Sequence, residues 1–162
     1  MSGPGAGIAF DKTFTARERS PRFPPFRLGQ RMEGEDGKEY VYVQADGAIT
    51  GAGYVAVIDE NGQAAMATNT TAVYGQQIGV ASVAFADDEY GWLQVFGTAN
   101  IRVAASCAAN VPITSTTTGG QLDDAAGAGT KTITGAVLTT ANGGTAGTAE
   151  GVLTYPTVGA TN

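Results

Sequence analysis

The sequence contains no histidine and only one cysteine, Cys107, among its 162 residues. Histidine is the commonest general base and a frequent metal ligand, so its absence excludes most acid–base, nucleophilic and zinc sites. A lone cysteine closes no internal disulfide, and without a histidine to activate it Cys107 is expected to be a small buried side chain. We therefore predict a protein with no enzymatic activity, no cofactor and no required metal.

Long apolar runs are also absent, although 43% of the residues are hydrophobic. No stretch reaches the roughly 18 consecutive apolar residues of a membrane-spanning helix, so no membrane partner is expected. The chain is instead rich in alanine and threonine and contains 24 glycines, a composition typical of short strands joined by many turns. One compact domain with an extension accounts for the length.

Positive charge is scarce in most of the chain and concentrated near one end. Residues 12–31 hold six basic side chains against one acidic one, whereas residues 39–162 hold two basic and ten acidic side chains. Residues 1–38 also contain three prolines within five positions, which disfavours both a helix and a central strand. We predict an extended basic arm at 1–38 that becomes ordered against an acidic partner, followed by an acidic body at 39–162.

From Glu39 onwards the hydrophobic pattern has the two-residue period of β-strands. It predicts strands at 39–44, 54–58, 79–85, 90–96, 99–103, 111–113, 133–138 and 150–155, and one helical turn at 121–126. Asn61 and Gly62 tolerate the positive φ of a tight turn, so residues 59–63 should join two antiparallel strands. The predicted fold class is all-β, a compact antiparallel β-barrel or sandwich body with an extended N-terminal arm.

The predicted strand at 90–96 is apolar on both faces, because Leu93 and Val95 alternate with Trp92 and Phe96. Packing within the body covers one face, and a neighbouring copy of the chain is a natural cover for the other. We therefore predict a homo-oligomer whose interface is formed by Trp92, Leu93, Val95 and Phe96.

Three other binding chemistries fit the sequence less well. The glycine-rich stretches at 3–7 and 127–131 lack the spacing of a phosphate-binding loop. The carboxylates at 87–89 and 123–124 are of the type that binds calcium, but adjacent carboxylates more often lie on solvated turns. A basic arm is also typical of nucleic-acid binding, but the acidic body opposes it and no recognition helix or stacking platform follows. We expect a protein partner and no nucleic acid.

Several stretches of the body resemble one family of viral proteins. They are YVQADGAIT at 42–50, GVASVA at 79–84, YGWLQVFG at 90–97, LDDAA at 122–126 and KTITG at 131–135. In their pattern of strands and glycines they resemble the capsid decoration, or cement, proteins, which are encoded beside the major capsid protein in tailed phages. The resemblance spans roughly residues 39–156 of the chain.

The resemblance implies a noncatalytic structural protein on the outer capsid surface of a virion, made in the host cytoplasm. Such a protein forms trimers at three-fold positions of the head, binds the major capsid protein and stabilises the head by bridging its subunits. Together with the charge pattern, this predicts that the arm forms the capsid interface. The predicted interface residues are Phe10, Phe14, Arg17, Arg19, Arg22, Phe23, Phe26 and Arg27.

Two other functions stay open at this point. A head-fibre or receptor-binding protein would contact host-surface glycans through threonine- and glycine-rich loops, such as those at 114–120 and 140–148. A hydrolase would need two carboxylates that face each other across a cleft, about 5 to 9 Å apart. Binding to empty heads would separate capsid decoration from receptor binding.

Overall fold

The fold consists of β-strands joined by turns. The computed structural model describes residues 9–15, 26–34 and 36–162. The strands are β1 (Arg31–Glu33), β2 (Glu39–Ala45), β3 (Val55–Ile58), β4 (Gln63–Met66), β5 (Gln77–Ala81), β6 (Tyr90–Val103), β7 (Ile113–Ser115), β8 (Leu122–Asp123), β9 (Lys131–Leu138) and β10 (Gly147–Thr161). The described residues contain no helix, which confirms the all-β class, and accordingly no helix among them could cross a membrane.

The strands form one sheet that closes on itself twice. Hydrogen-bonded neighbours run β2, β4, β3, β5, β6 and back to β2, and a second circuit runs β6, β8, β7, β9, β10 and back to β6. Most pairs are antiparallel, whereas β2 with β4 and β6 with β8 are parallel. The sheet is therefore mixed, and the body is compact in the manner of a barrel or sandwich.

Strand β6 belongs to both circuits and contributes to both cores. Its first half places Leu93 and Val95 in one core, together with inward side chains of β2 and β4. Its second half places Ile101 and Val103 in the other core, with side chains of β7, β9 and β10. Removal of these aliphatic side chains from water is the main contribution to the stability of the fold. Because β6 contributes to both cores, it connects the two halves of the body.

The two strands predicted at 90–96 and 99–103 are one strand with a bulge. Gly97 has a φ of +94°, which glycine adopts without a steric penalty, and the pairing with β2 shifts register nearby. The Gln94 side chain donates hydrogen bonds from Nε2 to the carbonyls of Phe96 (3.0 Å) and Thr98 (2.9 Å). The bulge is therefore stabilised by a side chain of the same strand.

The tight turn predicted at 59–63 is confirmed. It joins β3 and β4, which are antiparallel, and Gly62 has a φ of +80°. The Asp59 carboxylate accepts hydrogen bonds from the backbone N–H groups of Asn61 (2.9 Å) and Gln63 (2.8 Å). Asp59 thus mimics a backbone turn and fixes the hairpin locally.

Two other local predictions are corrected. The helical turn predicted at 121–126 is wrong, because Leu122 is buried in the core and belongs to β8, which pairs with β6 and β7. The strand predicted at 79–85 ends at Ala81, and Phe85 instead forms an isolated bridge with Ile49. Leu122 pairs with Val103 and Ser115, and Phe85 pairs with Ile49, so pairing with other segments of the chain decides both conformations.

Gln94→Ala is expected to lower the free energy of unfolding by about 1–2 kcal/mol, because two part-buried carbonyls lose their donor. Urea denaturation followed by circular dichroism measures the change. Asn100→Ala removes an exposed amide from the same strand and is the control, with an expected effect below about 0.5 kcal/mol. Equal stability of the two variants would show that Gln94 does not stabilise the bulge.

Candidate functional site

The described parts of the predicted arm lie against the body. Three phenylalanines from the arm pack on four aromatic residues of β2 and β6. We call this set the aromatic cluster; it consists of Phe10, Phe14, Phe26, Tyr40, Tyr42, Tyr90 and Trp92, with Leu28 and Met32 beside it. The arm therefore covers a face of the sheet that belongs to the same chain.

Trp92 is the single tryptophan of the chain, and it is 0% exposed within the aromatic cluster. Its ring centroid lies 5.2 Å from that of Phe10, 5.0 Å from that of Phe26 and 5.0 Å from that of Tyr42. These pairs are tilted or edge-to-face, so the positive edge of one ring meets the negative face of another. The indole N–H finds no hydrogen-bond partner in the described part of the chain, so ring contacts hold Trp92 in place.

Main-chain hydrogen bonds attach both described segments of the arm. Phe14 and Tyr90 exchange two backbone hydrogen bonds, of 2.6 and 2.7 Å. The Gly29 N–H donates to the carbonyl of Tyr42 at 2.8 Å, the Tyr42 N–H donates to the carbonyl of Gln30 at 2.9 Å, and β1 continues this pairing along β2. Over these residues the arm extends the body's own sheet.

Tyr40 is a buried phenol of the aromatic cluster. Phe10 stacks on it, with ring centroids 4.1 Å apart and planes inclined by 11°. Burial, with the carboxylates of Asp36 and Asp11 nearby, raises the pKa of the Tyr40 phenol to about 12. The phenol is therefore neutral at physiological pH, as its packing against an apolar ring requires.

The role predicted for three phenylalanines needs correction. Phe10, Phe14 and Phe26 contact the chain's own body, so in this conformation they are not free to anchor on a capsid. The expectation that the arm becomes ordered only against a partner is therefore wrong for residues 9–15 and 26–34. Arg27 is exposed, and no carboxylate among the described residues forms an ion pair with it. The other predicted interface residues, Arg17, Arg19, Arg22 and Phe23, lie outside the described residues.

The predicted oligomer interface is also corrected. Trp92, Leu93 and Val95 are each 0% exposed within the single chain. Trp92 is covered by the arm, and Leu93 and Val95 lie in the core beside β2, so these three residues offer no surface to another copy. Phe96 is partly exposed and lies 5.1 Å from Tyr155, ring centroid to centroid. The sequence pattern indicated that the second apolar face of this strand must be covered, but it did not indicate that the arm covers it.

Cys107 is buried, as predicted from its sequence context. Its thiol and the carboxylates of Asp123 and Asp124 place their ligand atoms within 4.8 Å of one another, the single group of this kind in the described part of the chain. Burial raises the pKa of the Cys107 thiol to about 11, and the charge of Asp124 acts in the same direction. The thiol is therefore protonated at neutral pH, which makes it a poor nucleophile.

The other acidic group considered from the sequence supports loop structure. Asp87 Oδ1 accepts a hydrogen bond from the Gly47 N–H at 2.8 Å, and Asp88 Oδ1 accepts one from Gln44 Nε2 at 3.3 Å. The two carboxylates thus bind different donors of the neighbouring loop and strand. Their position is accounted for without an ion.

A cavity of about 350 Å³ opens beside β5, β6 and β10. Its polar lining includes Lys38, Gln94, Asn100 and Glu150. Glu150 is the single carboxylate in this lining, whereas the hydrolase alternative needs a facing pair. This cavity therefore does not supply the acid and base that such chemistry requires.

Comparison with known proteins identifies no relative of this chain. No protein-family model matches the chain, and no curated protein and no solved structure matches it. The functional argument consequently rests on the chain's own charges, contacts and exposed surfaces.

Phe26→Ala is expected to open the aromatic cluster and expose Trp92, because the indole loses a ring 5.0 Å away. Tryptophan emission should shift to longer wavelength, and quenching by acrylamide should increase. Tyr74→Ala changes a ring that is 77% exposed and is the control, which should keep the unaltered emission. Strong quenching of Trp92 in the unaltered protein would contradict the docked arm.

The raised pKa of Tyr40 predicts a loss of stability at alkaline pH. The folded protein holds the phenolic proton more tightly than the unfolded chain, so this contribution is complete below pH 10.0 and is lost as the pH rises towards about 12. Tyr40→Phe carries no such proton and should lose less of its thermal stability over that range. Tyr74→Phe, at an exposed position, is the control, and an equal loss in both variants would refute the assignment to Tyr40.

Proposed function

We propose that this protein is a noncatalytic capsid decoration protein, which binds the outer surface of a tailed-phage head and stabilises it by bridging major capsid protein subunits. The observation that carries the proposal is the separation of charge along the chain. Six basic side chains against one acidic lie in residues 12–31, and ten acidic against two basic lie in residues 39–162. The resemblance of the body's strand and glycine pattern to decoration proteins supports the same function.

The docked phenylalanines suggest how the arm would engage the head. Phe14 and Phe26 both pack on the aromatic cluster, so the two segments that flank residues 16–25 are attached to the same region of the body. Residues 16–25 include Arg17, Arg19 and Arg22. Because the flanking segments are already ordered on the body, their conformational entropy is lost on folding and not on binding. The basic contact would then form at a smaller entropic cost.

Electrostatics would also orient the protein on the head. An acidic shell attracts the arginines of the arm, including the exposed Arg27, and repels the acidic body. Approach with the arm towards the shell is therefore favoured over other orientations. The body would then project outwards, where its β-strands can contact neighbouring copies.

We further propose that copies associate as a homotrimer on the head, with Phe96 in the contact. Phe96 packs on Tyr155, which is 39% exposed, and Val152 on the same strand as Tyr155 is also exposed. The Tyr155 hydroxyl donates a hydrogen bond to Glu39, and the Arg31 guanidinium lies over the Tyr155 ring at 5.1 Å. This patch combines apolar surface with both signs of charge, which suits contact with an identical patch.

Receptor binding receives less support from the first residues of the loop predicted at 114–120, two of which belong to β7. The hydroxyl of Thr114 donates to the Asp123 carbonyl, that of Ser115 to Asn69, and that of Thr116 to the Gln121 carbonyl. These groups are engaged within the chain, whereas a glycan site needs hydroxyls that are free to contact a sugar.

Changing Arg17, Arg19, Arg22 and Arg27 together to serine should slow binding to phage heads assembled without this protein about tenfold at low salt, and flatten the salt dependence. Lys131→Ser removes a basic side chain from the body and is the control. Substitution is preferable to truncation before Glu39, because truncation would also remove Phe10 and Phe26 from Trp92. Equal association rates for the quadruple variant and the control would reject the role of the arm.

Electron-microscopy reconstructions of heads with and without the protein test the remaining parts of the same prediction. Added density on the outer surface should contact more than one major capsid protein subunit, and the copies should touch one another in threes. Absence of added density rejects the proposed function. Isolated single copies reject the trimer and leave capsid binding intact.

A further inference from the structure

Apolar surface is concentrated at one tight turn, formed by residues 73–76, which we call the Tyr74 turn. Val73 is 57% exposed and Tyr74 is 77% exposed, the two highest values for large hydrophobic side chains in the described part of the chain. Isolated exposed apolar residues are ordinary on protein surfaces. Two adjacent ones at the tip of one turn form a protruding apolar group, which is a common feature of binding surfaces.

Hydrogen bonds hold the Tyr74 turn in one conformation. The Gln76 N–H donates to the Val73 carbonyl at 3.1 Å and Gly75 has a φ of +86°, as in a type II turn with Tyr74 at its first corner. The Gln76 side chain accepts a hydrogen bond from the Val73 N–H at 2.9 Å. The Gly75 N–H donates to the carbonyl of Val158 at 2.8 Å, so β10 also supports the turn.

The residues that precede the turn are equally well fixed. The Ala72 N–H donates to the Thr68 carbonyl at 3.0 Å, and the Thr71 hydroxyl donates to the Met66 carbonyl at 2.8 Å. Because the backbone is already held in place, a partner that receives Tyr74 would order little beyond the side chain itself. Tyrosine suits this role, since its large ring has only two rotatable side-chain torsions.

The chain segments that form the turn and bond directly to it carry no charged side chains. None occurs in residues 61–86, in 103–121 or in 152–162, the stretches that hold the turn and its hydrogen-bonded neighbours. A contact made here should therefore be insensitive to salt. In this respect it differs from a contact made by the basic arm.

The local hydrogen bonds favour a protein partner over a glycan. A sugar needs free donors and acceptors beside an aromatic ring, but the Gln76 side-chain oxygen and the Thr71 hydroxyl already bond within the loop. Val73 instead adds aliphatic surface next to the ring. An aromatic and an aliphatic side chain together match an apolar pocket on a folded protein, where the phenol can reach a polar rim.

We propose that the Tyr74 turn is a second, uncharged anchor that inserts Tyr74 into an apolar pocket of the major capsid protein. The identity of this partner rests on the proposed function, whereas the chemistry of the contact follows from the turn. The basic arm governs the rate of approach to the head, and the Tyr74 turn governs how long the protein stays bound.

The test compares dissociation of full-length variants from phage heads assembled from major capsid protein without this chain. Tyr74→Ser should dissociate about 10- to 30-fold faster, as for truncation of an aromatic hot-spot residue. This increase in the dissociation rate should be the same at about 50 and about 500 mM NaCl, and the association rate should be unchanged. Ala128→Ser, at an exposed apolar residue outside both the turn and the patch around Phe96 and Tyr155, is the control and should dissociate as the unaltered protein does.

Each other outcome overturns the inference in a distinguishable way. Unaltered dissociation of Tyr74→Ser rejects the anchor and leaves the proposed function standing, provided that thermal melting shows the variant folded. Failure of the unaltered protein to bind heads rejects the proposed function and, with it, this partner. A salt-dependent factor would show an electrostatic contact. Loss of self-association in Tyr74→Ser would place the pocket on a second copy, and loss of binding on a glycan array would identify a sugar.

Discussion

The first half of β6 is apolar on both faces, and the rest of the molecule is arranged to cover it. Leu93 and Val95 face the core beside β2, while Trp92 faces the opposite way. Leaving an aromatic ring of this size in water would forgo roughly 2–3 kcal/mol of hydrophobic stabilisation. Phe10 and Phe26 cover Trp92 instead, so the position of the arm follows from this one strand.

Because part of the arm packs on the body, fewer of its side chains are available to bind a partner. The three phenylalanines on the aromatic cluster stabilise the body, so the arginines, together with Phe23, are what remains of the predicted capsid contacts of the arm. Exposed charge pairs contribute little affinity at physiological salt, because they remain hydrated and screened. A stable complex would therefore need an apolar contact elsewhere on the surface. The Tyr74 turn is the most exposed candidate for that contact among the described residues.

Features set by neighbouring residues could be predicted, and features set by distant ones could not. The hairpin at 59–63 was predictable because Asp59 and Gly62 determine its turn within a few residues. Leu122 forms a strand instead of a helical turn because it pairs with Val103 of β6, nineteen residues earlier, as well as with the nearby β7. That Phe10 covers Trp92 could not be predicted either, since the two residues are far apart in sequence. A second copy of the chain could have covered the same apolar face. The only sequence signal of the Tyr74 turn is weak: two large apolar residues stand before a glycine within the uncharged residues 61–86.

The acidic character of the body bears on when copies of the protein would associate. Ten acidic and two basic side chains in residues 39–162 make free copies repel one another, which opposes contact through a small patch such as that around Phe96 and Tyr155. Copies held on one head by their arms would meet at a high effective concentration, so a contact too weak to form a trimer in solution could still close there. The negative charge that opposes association of free copies would then restrict trimer formation to the surface of the head.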